Sequence, residues 1–453
     1  MPSLPSGRFQ RLALGAILLR LALYHWGPPL VHQLADRIEL ATPLTSYKRL
    51  TEGLFLHGAG FDPYDGHVFF QPALYLPLFS LLYRVTGARA VADGVAALLF
   101  SVMDVLVAYQ LVAIARVKWR REPVRTLEDS ELSGGQKAGE PVKATVDADA
   151  KPDSPAPAFP EDINLHLQPE TLALLYLFNP LTLFSCLARS TLIFNSFAVV
   201  CALRHALEDR PAVAAFWVAV ASYISFYPVM LSVPIVMILV QNRPNKLPIL
   251  VQFLAVFTAA LTVLLGTSYL ITGSWKFLGA TYGVILLVTD LTPNLGVFWY
   301  FFIEMFDHFR LFFLMAFQLH TLIFAVPVAI RFQERPLFAA VLIVAITTLF
   351  KSYPSAADMS LLLGLVPLYY EIFKYMRYAF VLSNAMVYAL ILAPLFWHLW
   401  IYQGSGNANF FYAATLVYAA SQILLVIDLV QSMIRRDIDE AYPSVRNKLI
   451  VQE

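Results

Sequence analysis

Leu247-Pro-Ile-Leu-Val-Gln-Phe-Leu-Ala-Val-Phe-Thr-Ala-Ala-Leu-Thr-Val-Leu-Leu-Gly-Thr-Ser-Tyr-Leu-Ile271 runs for 25 residues without one charged side chain. A helix rising about 1.5 Å per residue needs about 20 apolar residues to cross bilayer hydrocarbon, so this stretch reads as a membrane span. Working outward, further apolar runs occupy 9–31, 71–86, 92–116, 170–187, 190–207, 211–226, 228–241, 310–331, 336–352, 356–372, 379–401 and 410–433. Several are too short to cross upright, and those must be surrounded by buried backbone or be re-entrant. Composition agrees: 58% of the 453 residues are hydrophobic, 14% are charged, and the mean hydropathy is +0.64. A water-exposed surface needs roughly 25% charged residues. The net charge of +1, with no basic patch, gives no sign of a nucleic-acid partner.

Charge placement orients the spans. Lys and Arg gather at 8–11, 116–125, 204–210, 243–246, 331–335, 374–377 and 435–448, which should all be cytosolic. The run at 9–31 follows Arg8 and Arg11 as a signal sequence does, but lacks a small-residue cleavage site, so it reads as an uncleaved first span. Alternation then fails at one place, between 71–86 and 92–116. The first of these contains Pro72 and Pro77 and ends in Arg84, so it is read as re-entrant or interfacial. About twelve spans remain, an all-α polytopic membrane protein with both termini cytosolic.

Four regions follow: an N-terminal membrane region 1–121 with a lumenal loop 33–70, a linker 122–165, a membrane core 166–436 with a lumenal region 273–309, and a cytosolic tail 437–453. The linker holds six prolines, many charges and almost no large apolar side chains, so disorder is expected on the cytosolic side. No internal repeat suggests a transporter-like duplication. The two cysteines, Cys186 and Cys201, lie in apolar segments and read as buried thiols, not as a disulfide framework or a zinc site.

Chemistry-bearing side chains concentrate in three lumenal clusters. In 33–70, an amphipathic helix over 45–57 carries Leu50, Leu54 and Phe55, and Gly60 to Gly66 forms a turn in which Asp62 precedes proline. A glycosyltransferase using a lipid-linked sugar commonly places paired carboxylates in such a loop. Here Asp62 and Asp65 are separated, and the adjacent acidic pairs (Glu128-Asp129, Glu161-Asp162, Glu208-Asp209, Asp439-Glu440) all fall in cytosolic segments.

The second cluster is the densest. Asp290-Leu-Thr-Pro293 reads as a helix entry, with Asn294 just after it. From 297 one helix is expected to carry Trp299, Phe302, Phe306, Phe309 and Phe313, with Glu304, Asp307 and His308 on a shared face and Arg310 paired to Asp307. Such rings suit an interfacial belt, and such ionisable groups suit either local ion pairing or a binding edge. The third cluster runs from Trp397-His-Leu-Trp400 to Tyr412, with Asn407 and Asn409 suited equally to helix capping and to recognising sugar or phosphate. His308 has no second His or Cys beside it, so no metal is expected. Nor is there a nucleophile constellation or a phosphate-cradling glycine loop, so neither catalytic residues nor cofactors are expected.

Longer motifs carry more. The run Asp290 to Phe309, with Asn179-Pro180, Ser185 to Thr191, Phe350-Lys-Ser-Tyr-Pro354, Trp397 to Tyr402, Asn409 to Tyr412, Pro43 to Arg49 and Pro63-Tyr64, resembles the phosphatidylinositol-glycan class U family. Only 122–165 departs from the resemblance. It implies a fold similar to the GT-C membrane glycosyltransferases without their activity, in the endoplasmic reticulum membrane. It further implies a non-catalytic subunit of the glycosylphosphatidylinositol (GPI) transamidase that helps assemble the complex and holds or presents the GPI lipid. The partners implied are the other subunits, including a caspase-like cysteine protease that does the chemistry, together with GPI and membrane lipids. Asp290, Asn294, Trp299, Phe302, Glu304, Asp307, His308, Asn407 and Asn409 are the expected GPI-binding residues. The competing readings are a lumenal mannosyltransferase using a dolichol-phosphate sugar and, last, a secondary transporter.

Overall fold

The computed structural model describes residues 6–86, 89–121, 167–241 and 243–442. The linker 122–165 lies outside them, as does the tail from 443 onward. Among the described residues every regular element is a helix. Proline opens many of them, at Pro169, Pro180, Pro211, Pro248 and Pro336, where its missing N–H is one that a first turn leaves unpaired anyway. Gly273, at φ +67°, closes the helix that begins at Leu247, donating its amide to Tyr269.

Among the described residues six helices are long and apolar enough to cross a membrane: Val91–Arg121, Leu247–Thr272, Asp307–Arg331, Ala356–Tyr375, Ala379–Tyr402 and Ala408–Ala441. A seventh results if Pro169–Leu177 and Pro180–Leu187, bent by 52°, count as one. The bend falls at Asn179-Pro180, where Asn179 is extended and caps the second piece while proline withholds its N–H. Five further apolar helices are only 10–17 residues long. The run at 71–86 arrives as Tyr75–Thr86, 12 residues, and its Tyr83 hydroxyl lies 3.0 Å from that of Tyr47 in the first loop.

Burial differs sharply from helix to helix. Pro336–Phe350 and Leu192–Leu207 are buried along most of their length. In Leu247–Thr272 only Phe253 and Ser268 are buried, so the most legible span is also the outermost. Of the six long helices, Leu247–Thr272, Asp307–Arg331 and Ala379–Tyr402 are largely exposed, whereas Ala356–Tyr375 is mostly buried.

Two charges deep in the bundle are met by partners. Arg20 is wholly buried, contacts Asp104 at 3.0 Å, and donates to the carbonyls of Ala16 and Leu177. Asp428, also fully buried, accepts the backbone amides of Arg377 and Tyr378 at the start of the next-to-last span. Cys186 and Cys201 are buried and free.

Contacts sort the helix ends into two faces. At one, Ser6 and Arg116 share Glu170, Lys118 and Arg436 share Glu371, and Arg335 meets Asp437 and Glu440. At the other, Thr191 bonds Thr45 and Gln71, Arg189 pairs with Asp93, and the Ala356 amide donates to Glu39. The first is a basic face and the second a loop face.

Candidate functional site

On the loop face the scattered motifs meet. Thr45, Tyr75, Thr191, Tyr227, Lys351 and Tyr353 line a cleft with a cavity volume of about 40 Å³. The Phe350–Pro354 motif builds one wall of it. Lys351 is held by Asp358, which also takes the Ser355 amide and so caps the following helix. Ser352 lies 2.9 Å from the Tyr227 hydroxyl and donates to the Ile285 carbonyl. Gln318 donates to Ile285 and accepts from Tyr227, which closes the network. Tyr353 donates to the Asp290 carbonyl at 2.6 Å. Burial pushes the Tyr353 phenol well above its ordinary value, so it stays a donor. Because Lys351 is neutralised by Asp358, the cleft as a whole is neutral and rich in hydroxyls.

Residues 288–297 form a strap beside this cleft, not the expected helix entry, and the helix starts only at Phe298. Val288 sits at φ +49°, an unusual conformation for a β-branched side chain, and Arg310 donates to its carbonyl at 2.8 Å. Asp290 accepts the Thr292 amide and faces Arg49 at 3.5 Å, while Arg49 also lies over the Phe70 ring. Asn294 is fully buried; its side chain accepts from Gly296 and donates to Thr292. Its amide is consumed in shaping the strap.

Two further expectations need correction. The helix expected to run on from 297 breaks at Met305, whose ψ of 132° ends Phe298–Glu304 before Asp307–Ile323 begins. Glu304 therefore closes one helix while Asp307 and His308 open the next, and the three do not share a helical face. All three are exposed. Arg310 does not pair with Asp307, because the carbonyls of Val288 and Phe302 take its guanidinium.

The second and third clusters do come together. Trp299 is buried against Trp400, ring centroids 6.4 Å apart, with Phe411 and Tyr412 completing its surroundings. Tyr300 and Tyr412 are 4.6 Å apart, Tyr300 bonds Asn409, and Tyr412 donates to the Val297 carbonyl. Phe302 is core, between Phe298 and Phe317. Asn407 accepts the amides of Asn409 and Phe410 and is the cap of Ala408–Ala441. Asn407→Ala should cost about 1 kcal/mol, read as a lower melting temperature, whereas Asn407→Asp should keep the cap. Asp62 caps its own turn at Tyr64, and Asp62 and Asp65 both reach Lys276. Among the described residues no three His, Cys, Asp or Glu side chains gather as metal ligands.

Arg49, Gln71, Tyr227 and Lys351 were not singled out from sequence as site residues. Their only signal was their place inside, or next to, motif runs and predicted loops.

A helical membrane bundle carrying a neutral cleft and an aromatic wall at one face is a polytopic protein with a site at the end of its spans. The chain belongs to the family described as GPI transamidase subunit PIG-U, whose profile matches residues 14–418. It is 33% identical over 430 residues to the human GPI-anchor transamidase component PIGU, covering 93% of this chain and 92% of that protein. To the Saccharomyces cerevisiae GPI transamidase component GAB1 it is 33% identical over 442 residues, covering 97% and 98%. To the Schizosaccharomyces pombe GPI transamidase component GAB1 homolog it is 31% identical over 447 residues, covering 98% of each.

Proposed function

We propose that this chain is a non-catalytic membrane subunit of a GPI transamidase in the endoplasmic reticulum, holding the GPI lipid while a caspase-like partner subunit joins it to the proprotein. What carries the reading, beside family membership, is the convergence of distant motif runs on one cleft and its neighbouring aromatic wall. In this reading the loop face is lumenal and the basic face, with both termini, is cytosolic. The six long helices, the bent pair, Gly7–Trp26 and four of the shorter helices make twelve crossings, in the manner of the GT-C membrane enzymes.

The chemistry suits the ligand. GPI joins acyl chains to an inositol phosphate, a glycan and phosphoethanolamine. The neutral, hydroxyl-rich cleft suits sugar hydroxyls, and the wall of Tyr300, Trp400 and Tyr412, backed by the buried Trp299, suits the apolar boundary. Asp290 is engaged by Arg49, which leaves Glu304 and Asp307 as the exposed carboxylates for the ethanolamine ammonium, with His308 next to Asp307 in sequence and Asn407 and Asn409 brought to the same wall by the Tyr300–Asn409 bond.

The double variant Glu304→Gln, Asp307→Asn tests this in cells whose GPI precursors are metabolically labelled. The expected result is a several-fold loss of GPI-anchored reporter, with complete GPI and uncleaved proprotein accumulating and the complex still assembled. Undiminished attachment would remove the carboxylates from the site. If depleting the whole chain instead left GPI intermediates lacking a mannose, the protein would be a mannosyltransferase.

A further inference from the structure

Beneath the Ser185–Thr191 motif the segment has two sides. Thr191 lines the cleft, while Ser190 lines a second, inner chamber with Thr182, Ser185, Cys186, Tyr176 and Asp104. Thr182, Ser185 and Ser190 are 2%, 7% and 2% exposed, and their hydroxyl oxygens have no hydrogen-bond partner among the described residues. Ser222, Ser232 and Ser432 elsewhere also lack a partner among the described residues, but Thr182, Ser185 and Ser190 line one chamber. Ser101, Thr348 and Ser360, equally buried, fold back onto carbonyls of their own helices. Thr182 stands in the first turn after the Asn179-Pro180 break, where no straight preceding turn offers a carbonyl.

At this depth an unmet hydroxyl is costly, and three around one cavity call for a polar occupant. Its charge follows from the lining. The only ionised groups at the chamber are Asp104 and the Arg20 that contacts it at 3.0 Å, so an added ion would find no net counter-charge. Its size follows from the free space, which fits water and nothing larger.

We propose that this chamber is a hydration site inside the bundle, in which ordered water links Thr182, Ser185 and Ser190 to the Asp104 carboxylate. The water completes the solvation of the Arg20–Asp104 pair and satisfies the hydroxyls exposed by the bend between Pro169–Leu177 and Pro180–Leu187. The proposal is independent of what the cleft binds.

The two cysteines of this chain provide the test. Cys186 lines the chamber, whereas Cys201 lies outside it, and they are 4% and 1% exposed. Brief X-ray radiolysis of the full chain in lipid nanodiscs generates hydroxyl radicals from bound water at the place where that water sits. Cys186 should then oxidise several-fold faster than Cys201, and equal rates would overturn the proposal. The sign of a stability change gives a second reading. Thr182→Val and Ser185→Ala should each lower the melting temperature if water bonds these hydroxyls. In a dry cavity the same changes remove an unmet polar group and raise it, which would also overturn the proposal.

Discussion

Arg20→Met is expected to destabilise the folded chain by about 3–5 kcal/mol, and Asp104→Leu in the same chain should restore most of that loss. Arg20 is wholly buried and its guanidinium serves three oxygens: the Asp104 carboxylate at 3.0 Å, Ala16 O at 3.2 Å and Leu177 O at 2.9 Å. Leu177 closes the first piece of the bent pair, so its carbonyl has lost the helical partner it would have in a straight span. Methionine fills the volume but leaves a buried carboxylate without its cation and that carbonyl unmet. Removing both charges takes away the larger of those costs, and the carbonyl accounts for the part that is not recovered. Thermal unfolding of the four members of this cycle in nanodiscs measures the coupling. A single-variant loss below about 1 kcal/mol, or a double variant as unstable as the two losses added, would mean the pair is not the anchor described.

Gly296→Val is expected to unseat the strap from the Phe350–Pro354 turn and to abolish most GPI attachment. A Cβ on Gly296 would lie 2.6 Å from Pro354 Cδ and 2.8 Å from Asn294 Oδ1. Neither neighbour can yield, since Pro354 is a rigid ring and Asn294 holds the strap's own turn. Even alanine should cost about 1–3 kcal/mol as overpacking, and valine more. Gly266 is the control: nothing lies within 4 Å of its Cβ position, and it sits on the least buried span. Gly266→Ala should be neutral or stabilising by up to about 1 kcal/mol. The checks are limited proteolysis within 288–297 and surface display of a GPI-anchored reporter. Equal behaviour of Gly296→Ala and Gly266→Ala would mean that the close approach is not limiting.

Much of the architecture was legible because hydrocarbon imposes a crude code. Long uncharged runs, basic clusters and proline-led starts gave the helices and their order. The interior helices were harder, since a 15-residue apolar run such as Pro336–Phe350 reads the same whether it is sheathed by protein or too short to span. Asp104 was visible as a charge within an apolar run, but Arg20, 84 positions away, could not be paired with it by any local pattern. The break at Met305 was invisible because Glu304-Met-Phe-Asp contains neither proline nor glycine, and helical spacing carried straight through it. At the site, the aromatic residues were found but their meeting was not, since Tyr300 and Asn409 are 109 positions apart. For Asn407 both a cap and a recognition group fit the sequence, and its geometry is that of a cap.

The shortness of the interior helices has a consequence for a molecule that must be gripped at its water-facing end. Leu192–Leu207, Pro211–Ile224, Tyr227–Val240 and Pro336–Phe350 are 14 to 16 residues long. At about 1.5 Å per residue they reach about 21–24 Å, against about 30 Å of hydrocarbon. The cleft opens where these four helices start or stop, at Leu192, Ile224, Tyr227 and Lys351. In the orientation proposed above, helices this short set the floor of the cleft below the level of the surrounding headgroups. Under the proposed function, an anchored amphiphile would sink its head into this basin while its tails stay among their neighbours, and be handed over without being pulled from the leaflet.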